Sequence, residues 1–386
     1  MLRKAFKFRL YPTPAQQTLL RQTLETCRGV YNSLLLERKV DFERTGKSPS
    51  RSEQINQLPL WKKAHPQLGQ VFSQVLQNVA VRVDLAFDAF FRRVQKNENP
   101  GYPRFKGPGQ YDSFTYPQSG FCLKEATVTL SKIGTVQAIV HRPTEGKVKT
   151  CTVRVQSGKW FACFCCEVQA EPLPETEEKV GIDVGIEKFA ALSNGEFIQN
   201  PRFLRKQEQA LAKAQRKLQK QKQGSRKRRK AKKAVSRIHE RIRNRRHDFV
   251  HQTARRIVNR FGLIAVEALQ VKNMSRRPKP KQDEETGEYL PNGASQKAGL
   301  NKSISDAAWS VFRTVLTQKA ESAARVVVTV NPAYTSQDCS GCGSRAPKKL
   351  SERWHLCPCC GLSLDRDTNS AVLILNIAVG LHSVPA

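Results

Sequence analysis

Apolar residues along this chain change their spacing several times, and each change marks an element. Residues 1–10 place Phe6, Phe8 and Leu10 at alternate positions, the period of a strand. From Thr13 the spacing lengthens, and Leu20, Leu24, Cys27, Tyr31 and Leu34 recur at helical intervals. Thr13 suits an N-cap there, Pro14 the first helical position, and Gln16 the far side of a capping box. Gly46-Lys-Ser-Pro49 breaks the pattern, and a second helical region follows in which Phe72, Val75, Val79, Val83, Phe87 and Phe90 repeat across 71–95. Pro, Gly and aromatic residues then crowd 100–120, a composition that predicts a rigid loop. Alternation returns between 121 and 169 in four runs, 126–130, 136–140, 149–155 and 160–168, separated by turn residues such as Ser157-Gly158.

The second half is ordered differently. After a linker rich in Pro and Glu at 171–178, apolar strands are predicted at 180–184, 189–192 and 196–198, with Asn194-Gly195 as the tight turn. A basic helical stretch at 201–260 precedes a strand at 263–269 that carries one embedded acid. Residues 275–300, polar and rich in Pro and Gly, predict a mobile loop. A helix over 305–324, a buried strand over 326–330, a cysteine-bearing insert and a helix from about Thr368 complete the chain. The order β-β-β-α-β-α-β-insert-α predicts an α/β RNase H-like domain. The N-terminal half predicts a helical module and a small antiparallel β-barrel that the first strand completes.

Charge adds a partner. The formal net charge of the 386 residues is +33, and self-repulsion on that scale is explained by a polyanionic ligand. Residues 201–260 hold 23 Lys/Arg against 3 Asp/Glu, a net of +20. Within them Arg226, Lys227, Arg228, Arg229 and Lys230 stand together with no acid to neutralise them, so they are candidate phosphate contacts. The alternative is a solvated helix pair. The chain has no run of eighteen apolar residues, and its first residues mix charge with apolar side chains, unlike a signal peptide. No membrane partner is expected. The eleven cysteines are odd in number, and Cys163, Cys165 and Cys166 read as small buried hydrophobes, which fits a reducing, intracellular (cytoplasmic) setting.

Two groups of residues carry chemistry. Cys339-x-x-Cys342, fourteen intervening residues, then Cys357-x-x-Cys360 is the spacing of a structural zinc ribbon; Cys359 offers a competing thiol. Four thiolates leave zinc no open position, so this site is structural. The second group is acidic. Asp183 lies in Gly181-Ile-Asp-Val-Gly185, on the strand face opposite Ile182 and Val184; an Asp in a turn is the alternative. Glu267 sits near the end of another apolar strand, where desolvation disfavours a lone carboxylate; a salt bridge to one of the many arginines is its alternative role. Asp367 precedes an almost wholly apolar helix; capping that helix is its alternative role, and Asp365 competes with it for either one. Three acids on separate apolar elements of one domain suit two divalent ions about 4 Å apart in phosphodiester cleavage. All-oxygen ligands favour Mg²⁺ or Mn²⁺.

These residues resemble a known family. Lys4-Ala-Phe-Lys-Phe-Arg-Leu-Tyr-Pro-Thr-Pro, Gly181-Ile-Asp-Val-Gly, Val266-Glu-Ala-Leu, Asn331-Pro-Ala-Tyr-Thr-Ser-Gln-Asp-Cys-Ser-Gly-Cys-Gly and Asp365-Arg-Asp-Thr-Asn are similar to the signatures of the transposon-associated TnpB proteins, relatives of type V CRISPR effectors. The resemblance implies an insertion-sequence-encoded, RNA-guided DNA endonuclease acting in a prokaryotic cell, on the nucleoid. Its parts would be a wedge-like barrel (1–10 and 100–172), a recognition helical module (11–99), a RuvC-like nuclease domain (178–333 and 363–386) and a zinc ribbon (334–362). The catalytic acids would fall on Asp183, Glu267 and Asp367. The partners implied are a guide RNA from the transposon end and double-stranded target DNA read beside a short adjacent motif. Aromatic residues in 102–116 suit either base stacking or packing against the barrel. The family more often has Asp where this chain has Ala268, and Asn-Ala-Ala where it has Asn369-Ser-Ala; neither change removes an acid. The competing readings are a non-catalytic nucleic-acid-binding regulator and a strand-transfer transposase with the same fold and metals.

Overall fold

Local signals at the N-terminus act as the sequence predicts. In the computed structural model, which describes residues 2–349 and 351–381, β1 (Leu2–Tyr11) leads into α1 (Pro14–Thr45). The capping box is formed in both directions: Thr13 Oγ1 accepts from the Gln16 amide at 3.3 Å, and Gln16 Oε1 accepts from the Thr13 amide at 3.0 Å. Gly46, at φ 71°, ends the helix in the left-handed region.

The chain divides into two compact units, Met1–Gln169 and Ala170–Ala386. In the first, α2 (Arg51–Ala64) and α3 (Ser73–Gln95) precede β2 (Ser113–Tyr116), β3 (Phe121–Leu123), β4 (Thr127–Leu130), β5 (Gly134–Ile139), β6 (Lys147–Gln156) and β7 (Lys159–Val168). The strands form an antiparallel sheet in the order β2-β6-β7-β1-β5-β4-β3, with β1 at its centre. Phe6, Phe8 and Leu10 of β1 share one hydrophobic core with Leu20 and Leu34 of α1 and Val75 and Val79 of α3. Helices and sheet therefore fold around a common interior. Two strands arise in or just after the region read as loop. Phe114 and Tyr116 alternate into the core there, but a four-residue strand among Pro and Gly gives too short a period to detect. Tyr111 is buried against Tyr31 and serves packing, whereas Tyr102 meets Phe87 and Phe90 edge-on and stays exposed. Cys166 is fully buried, whereas Cys163 and Cys165 are only partly so.

The second unit contains β8 (Lys179–Val184), β9 (Lys188–Leu192), β10 (Phe197–Gln199), α4 (Phe203–Lys206), α5 (Glu208–Gln219), α6 (Arg226–Arg260), β11 (Leu263–Glu267) and α7 (Val271–Met274). There follow β12 (Lys281–Gln282), β13 (Tyr289–Leu290), α8 (Ala294–Ala307), α9 (Trp309–Ser322), β14 (Val326–Val330), β15 (Trp354–Leu356), β16 (Ser363–Asp365) and α10 (Arg366–Ala378). The main sheet runs β10-β9-β8-β11-β14. Its first three strands are antiparallel, while β8, β11 and β14 are parallel. Val180, Ile182, Ile264 and Val266 bury one face with Val250, Ile257 and Phe312 of α6 and α9. The other face takes Ile374 of α10 against Ala265 and Val330.

Three expectations are corrected here. The strand expected to be buried over 326–330 is β14, at the edge of the sheet, where Val326 and Thr329 are exposed and only Val330 is buried. The helix predicted over 305–324 is two helices, divided at Ala308 with φ 58°. The stretch 275–300, read as loop, holds the β12–β13 ladder and the first turns of α8. Only Ile304 and Ala307 of α8 are buried, so it shows little apolar periodicity. No helix among the described residues is long and apolar enough to cross a membrane. Residue 1 of the expected first strand, residue 350 of the expected ribbon and residues 382–386 of the last expected segment lie outside the described residues.

Candidate functional site

Asp183 and Glu267 occupy the same level of adjacent parallel strands. The register pairs Ile182 with Val266, so the next residue on each strand is an acid. Because side chains alternate, both acids point away from the face that Ile182 and Val266 bury, and towards the face covered by α10. Gly181 lets that helix come close. A Cβ at 181 would meet the Ala371 carbonyl oxygen at 2.0 Å and the Leu375 amide at 2.8 Å. From Gly181 to Asp183 the strand advances about 6.6 Å. From Ala371 back to Asp367 the helix covers about 6 Å. The third acid is thereby delivered to the level of the first.

Electrostatics record the meeting. Desolvation pushes the Asp183 carboxyl well above the usual carboxylate range, and the charges of Glu267 and Asp367 push it further; Arg366 opposes and Asp365 adds to the rise. Desolvation also raises Glu267, against a hydrogen bond from Thr335, whose Oγ1 donates to Glu267 Oε1 at 2.5 Å. Crowded, partly buried carboxylates with raised proton affinity form a donor set that a hard dication satisfies.

Asp365 and Asp367 take different places. Asp365 is the N-cap of α10: its Oδ1 accepts from the amides of Asp367 at 3.0 Å and Thr368 at 3.2 Å. Its Oδ2 pairs with Lys188 at 3.1 Å. The capping role open to Asp367 thus falls to Asp365, and Asp367 sits inside the first turn with Arg366 as its cation at 3.4 Å.

The four thiols Cys339, Cys342, Cys357 and Cys360 converge, with all sulfurs within 4.8 Å of one another. The Cys339–Cys360 and Cys342–Cys357 sulfur separations are both 3.6 Å. A tetrahedral zinc with its usual sulfur bonds needs roughly 3.8 Å, so this cluster could hold zinc. Gly343 and Gly361 follow the two knuckles at φ 76° and 73°, where a side chain would be strained. Cys359 is exposed and lies outside the cluster. Among the described residues this is the one group of three or more His, Cys, Asp or Glu side chains drawn together tightly enough to hold a metal ion.

The basic residues divide. Arg226, Lys227, Arg229 and Lys230 are exposed on the first turns of α6. Arg228 instead donates to the carbonyls of Leu218 at 3.2 Å and Gln221 at 2.9 Å, closing the α5–α6 connection. Thr335 lies in the 331–343 stretch that carries the resemblance, but nothing there marks its bond to Glu267, and Lys188 carries no signal in the sequence. Each acts on an acid far away in the chain, and no local pattern marks that.

Comparison with known proteins follows these positions. A family described as "Probable transposase" matches residues 163–277, one described as "Cas12f1-like, TNB domain" matches 309–374, and one described as "Helix-turn-helix domain" matches 1–47. Over the described residues of that span, 2–47, the structure has a strand and a single long helix. The chain is 34% identical to a "Putative RNA-guided DNA endonuclease" of Streptomyces pristinaespiralis, across 98% of this chain and 90% of that protein. It is 32% identical to "Putative RNA-guided DNA endonuclease InsQ" of Escherichia coli K12, across 99% and 93%. The solved "Structure of the mini-RNA-guided endonuclease CRISPR-Cas_phi3" is similar with a TM-score of 0.50 at 8% identity, covering 98% of this chain and 92% of that one, a likeness of fold.

Proposed function

This chain belongs to the TnpB family encoded by insertion sequences, and we propose that it is an RNA-guided endonuclease cutting DNA at Asp183, Glu267 and Asp367. The observation that carries the reading is the convergence of these acids at one end of the sheet, with Asp183 driven towards its protonated form by burial and by the other two. The order β10-β9-β8-β11-β14 supports an RNase H-like, RuvC-type domain over 178–333 and 363–386, interrupted by a zinc ribbon over 334–362. The sheet strands of 1–10 and 100–172 then serve as the wedge, and helices within 11–99 as the recognition module.

Asp183, Glu267 and Asp367 would hold Mg²⁺ or Mn²⁺, which would supply Lewis-acid stabilisation and activation of water for phosphodiester hydrolysis. The protein's own part is positional. Parallel pairing fixes Asp183 beside Glu267, the Gly181 contact sets the depth of α10, and the Asp365 cap orients the turn that carries Asp367. Thr335 engages one oxygen of Glu267 and leaves Oε2 for a ligand. Zn²⁺ in the cysteine cluster is structural. Exposed Arg226, Lys227, Arg229 and Lys230 contact the phosphates of a guide RNA or its duplex with target DNA, while base pairing supplies sequence choice.

The test combines purified protein, its guide RNA, Mg²⁺ and DNA carrying the matching target beside a library of adjacent sequences. Guide-dependent cleavage that disappears in Asp183→Ala supports the reading; cleavage undiminished by that change overturns the active-site assignment. The "Probable transposase" description favours a second reading, and joined rather than cut DNA ends would support it.

A further inference from the structure

Asn369 is fully buried beside Asp367, and it spends both ends of its amide on the segment that carries the first zinc-site cysteine. Its Oδ1 accepts from the Ser340 amide at 2.9 Å, and its Nδ2 donates to the Asp338 carbonyl at 2.9 Å, so it grips the backbone on either side of Cys339. Asn376, two turns further along α10, donates to the Ser340 carbonyl at 3.0 Å. A buried amide with both backbone groups satisfied is costly to replace, because each lost partner leaves an orphan. The helix of Asp367 and the first cysteine knuckle are therefore fastened together.

The same segment reaches the other flanking acid. Thr335 is buried and donates to Glu267 Oε1 at 2.5 Å, four residues before Cys339. The backbone between them is not slack. The amides of Gln337 and Asp338 both bond the Tyr334 carbonyl, at 2.8 and 2.9 Å. Arg345 ties Asp338 at 2.8 Å and covers the Tyr334 ring at 3.5 Å. From Thr335 to Ser340 the chain is a short strut with Glu267 at one end and the first turn of α10 at the other.

We infer that Thr335 and Asn369 are positioning residues through which the closed cysteine knuckle holds Glu267 and Asp367 in place, so that divalent-metal affinity at the carboxylates depends on zinc in the ribbon. This rests on the carboxylate reading above and adds a coupling to it. Outer partners of metal ligands commonly set affinity by about 10- to 100-fold.

The experiment measures Mn²⁺ binding to the full-length protein by calorimetry and electron paramagnetic resonance, with zinc content read by metal analysis. Thr335→Val and Asn369→Leu are expected to weaken Mn²⁺ about 10- to 100-fold with one zinc per chain retained. Thr335→Ser, which keeps the hydroxyl, should restore the wild-type constant. Stripping zinc from the wild type with a chelator, then removing the chelator, should weaken Mn²⁺ in the same way. An unchanged Mn²⁺ constant in zinc-loaded Thr335→Val, or in the zinc-stripped wild type, overturns the inference. If Asn369→Leu fails to fold, those two measurements decide. Mn²⁺ binding by the wild type that survives Asp183→Ala would instead defeat the carboxylate reading itself.

Discussion

The Gly181 backbone lies so close to the Ala371 carbonyl that no side-chain carbon fits between them: a Cβ on residue 181 would stand 2.0 Å from that oxygen. This approach of a strand to a helix 190 positions later decides how near Asp367 comes to Asp183. It is a backbone-to-backbone approach, and no rotamer change can relieve an intruding atom.

Gly181→Ala should therefore push α10 away from β8. Overpacking of this kind costs about 1–3 kcal/mol or more, which at about 2–4 °C per kcal/mol lowers the melting temperature by several degrees. Single-turnover cleavage should fall further, on the order of 100-fold, because misplacing catalytic groups by an ångström has that effect. Gly29→Ala in α1 is the control. Nothing lies within 4 Å of its added carbon, and a helical Ala should leave stability unchanged or raise it.

Asp365 and Asp367 should separate by phenotype. Asp365→Ala removes a cap and the partner of Lys188, costing about 1 kcal/mol in thermal or urea unfolding, and lowers cleavage without abolishing it, because the turn carrying Asp367 is less well oriented. Asp367→Ala should leave stability nearly intact and abolish cleavage in the same assay. The opposite pattern would transfer the metal ligand to Asp365.

The acids show where sequence information ends. Asp183 and Glu267 are visible because a carboxylate inside an apolar strand contradicts its surroundings. The Asp365-Arg-Asp367 pair is visible as a helix start, yet which residue caps depends on one backbone turn that composition does not encode. Thr335 touches Glu267 across 68 residues, and its meaning appears only after folding. The strands at 113–123 and the first half of α8 escape a sequence reading for a related reason. Short or largely exposed elements carry too few buried residues to establish a period.

Asp183 also makes a pH prediction. Its carboxyl is raised in the folded chain, so the protonated form is the one the fold favours. That contribution is complete below the unfolded value of about 3.9 and is lost as pH rises through the raised value. In buffer free of Mg²⁺ and Mn²⁺, Asp183→Asn should melt at least ~2 °C above the wild type at neutral pH. The difference should shrink as the pH approaches 4. Metal affinity of the wild type should rise as pH climbs across the same interval, since ion and proton compete for one group.

The basic helix start should divide into phosphate-binding and scaffolding residues. Alanine at Arg226, Lys227, Arg229 and Lys230 should weaken RNA binding and flatten its salt dependence by about 0.7–0.9 in log–log slope for each phosphate no longer neutralised. Melting temperature should hold, because these side chains are exposed. Arg228→Ala should do the reverse. It gives up two carbonyl partners and costs ~1 kcal/mol or more in stability, with a smaller effect on the slope. Filter binding across a salt series, beside thermal melts, reads both.

Parallel pairing of β8, β11 and β14 has a consequence for how such a chain can be remodelled. All three strands leave the sheet at the edge where the acids stand, so the segments that follow β11 and β14 begin at the chemistry itself. Length added to those segments grows over the cleavage centre without disturbing the registers that build it. The ribbon is one such outgrowth, and a graft at the β12–β13 tip would be another, a natural entry point for tailoring what reaches the acids.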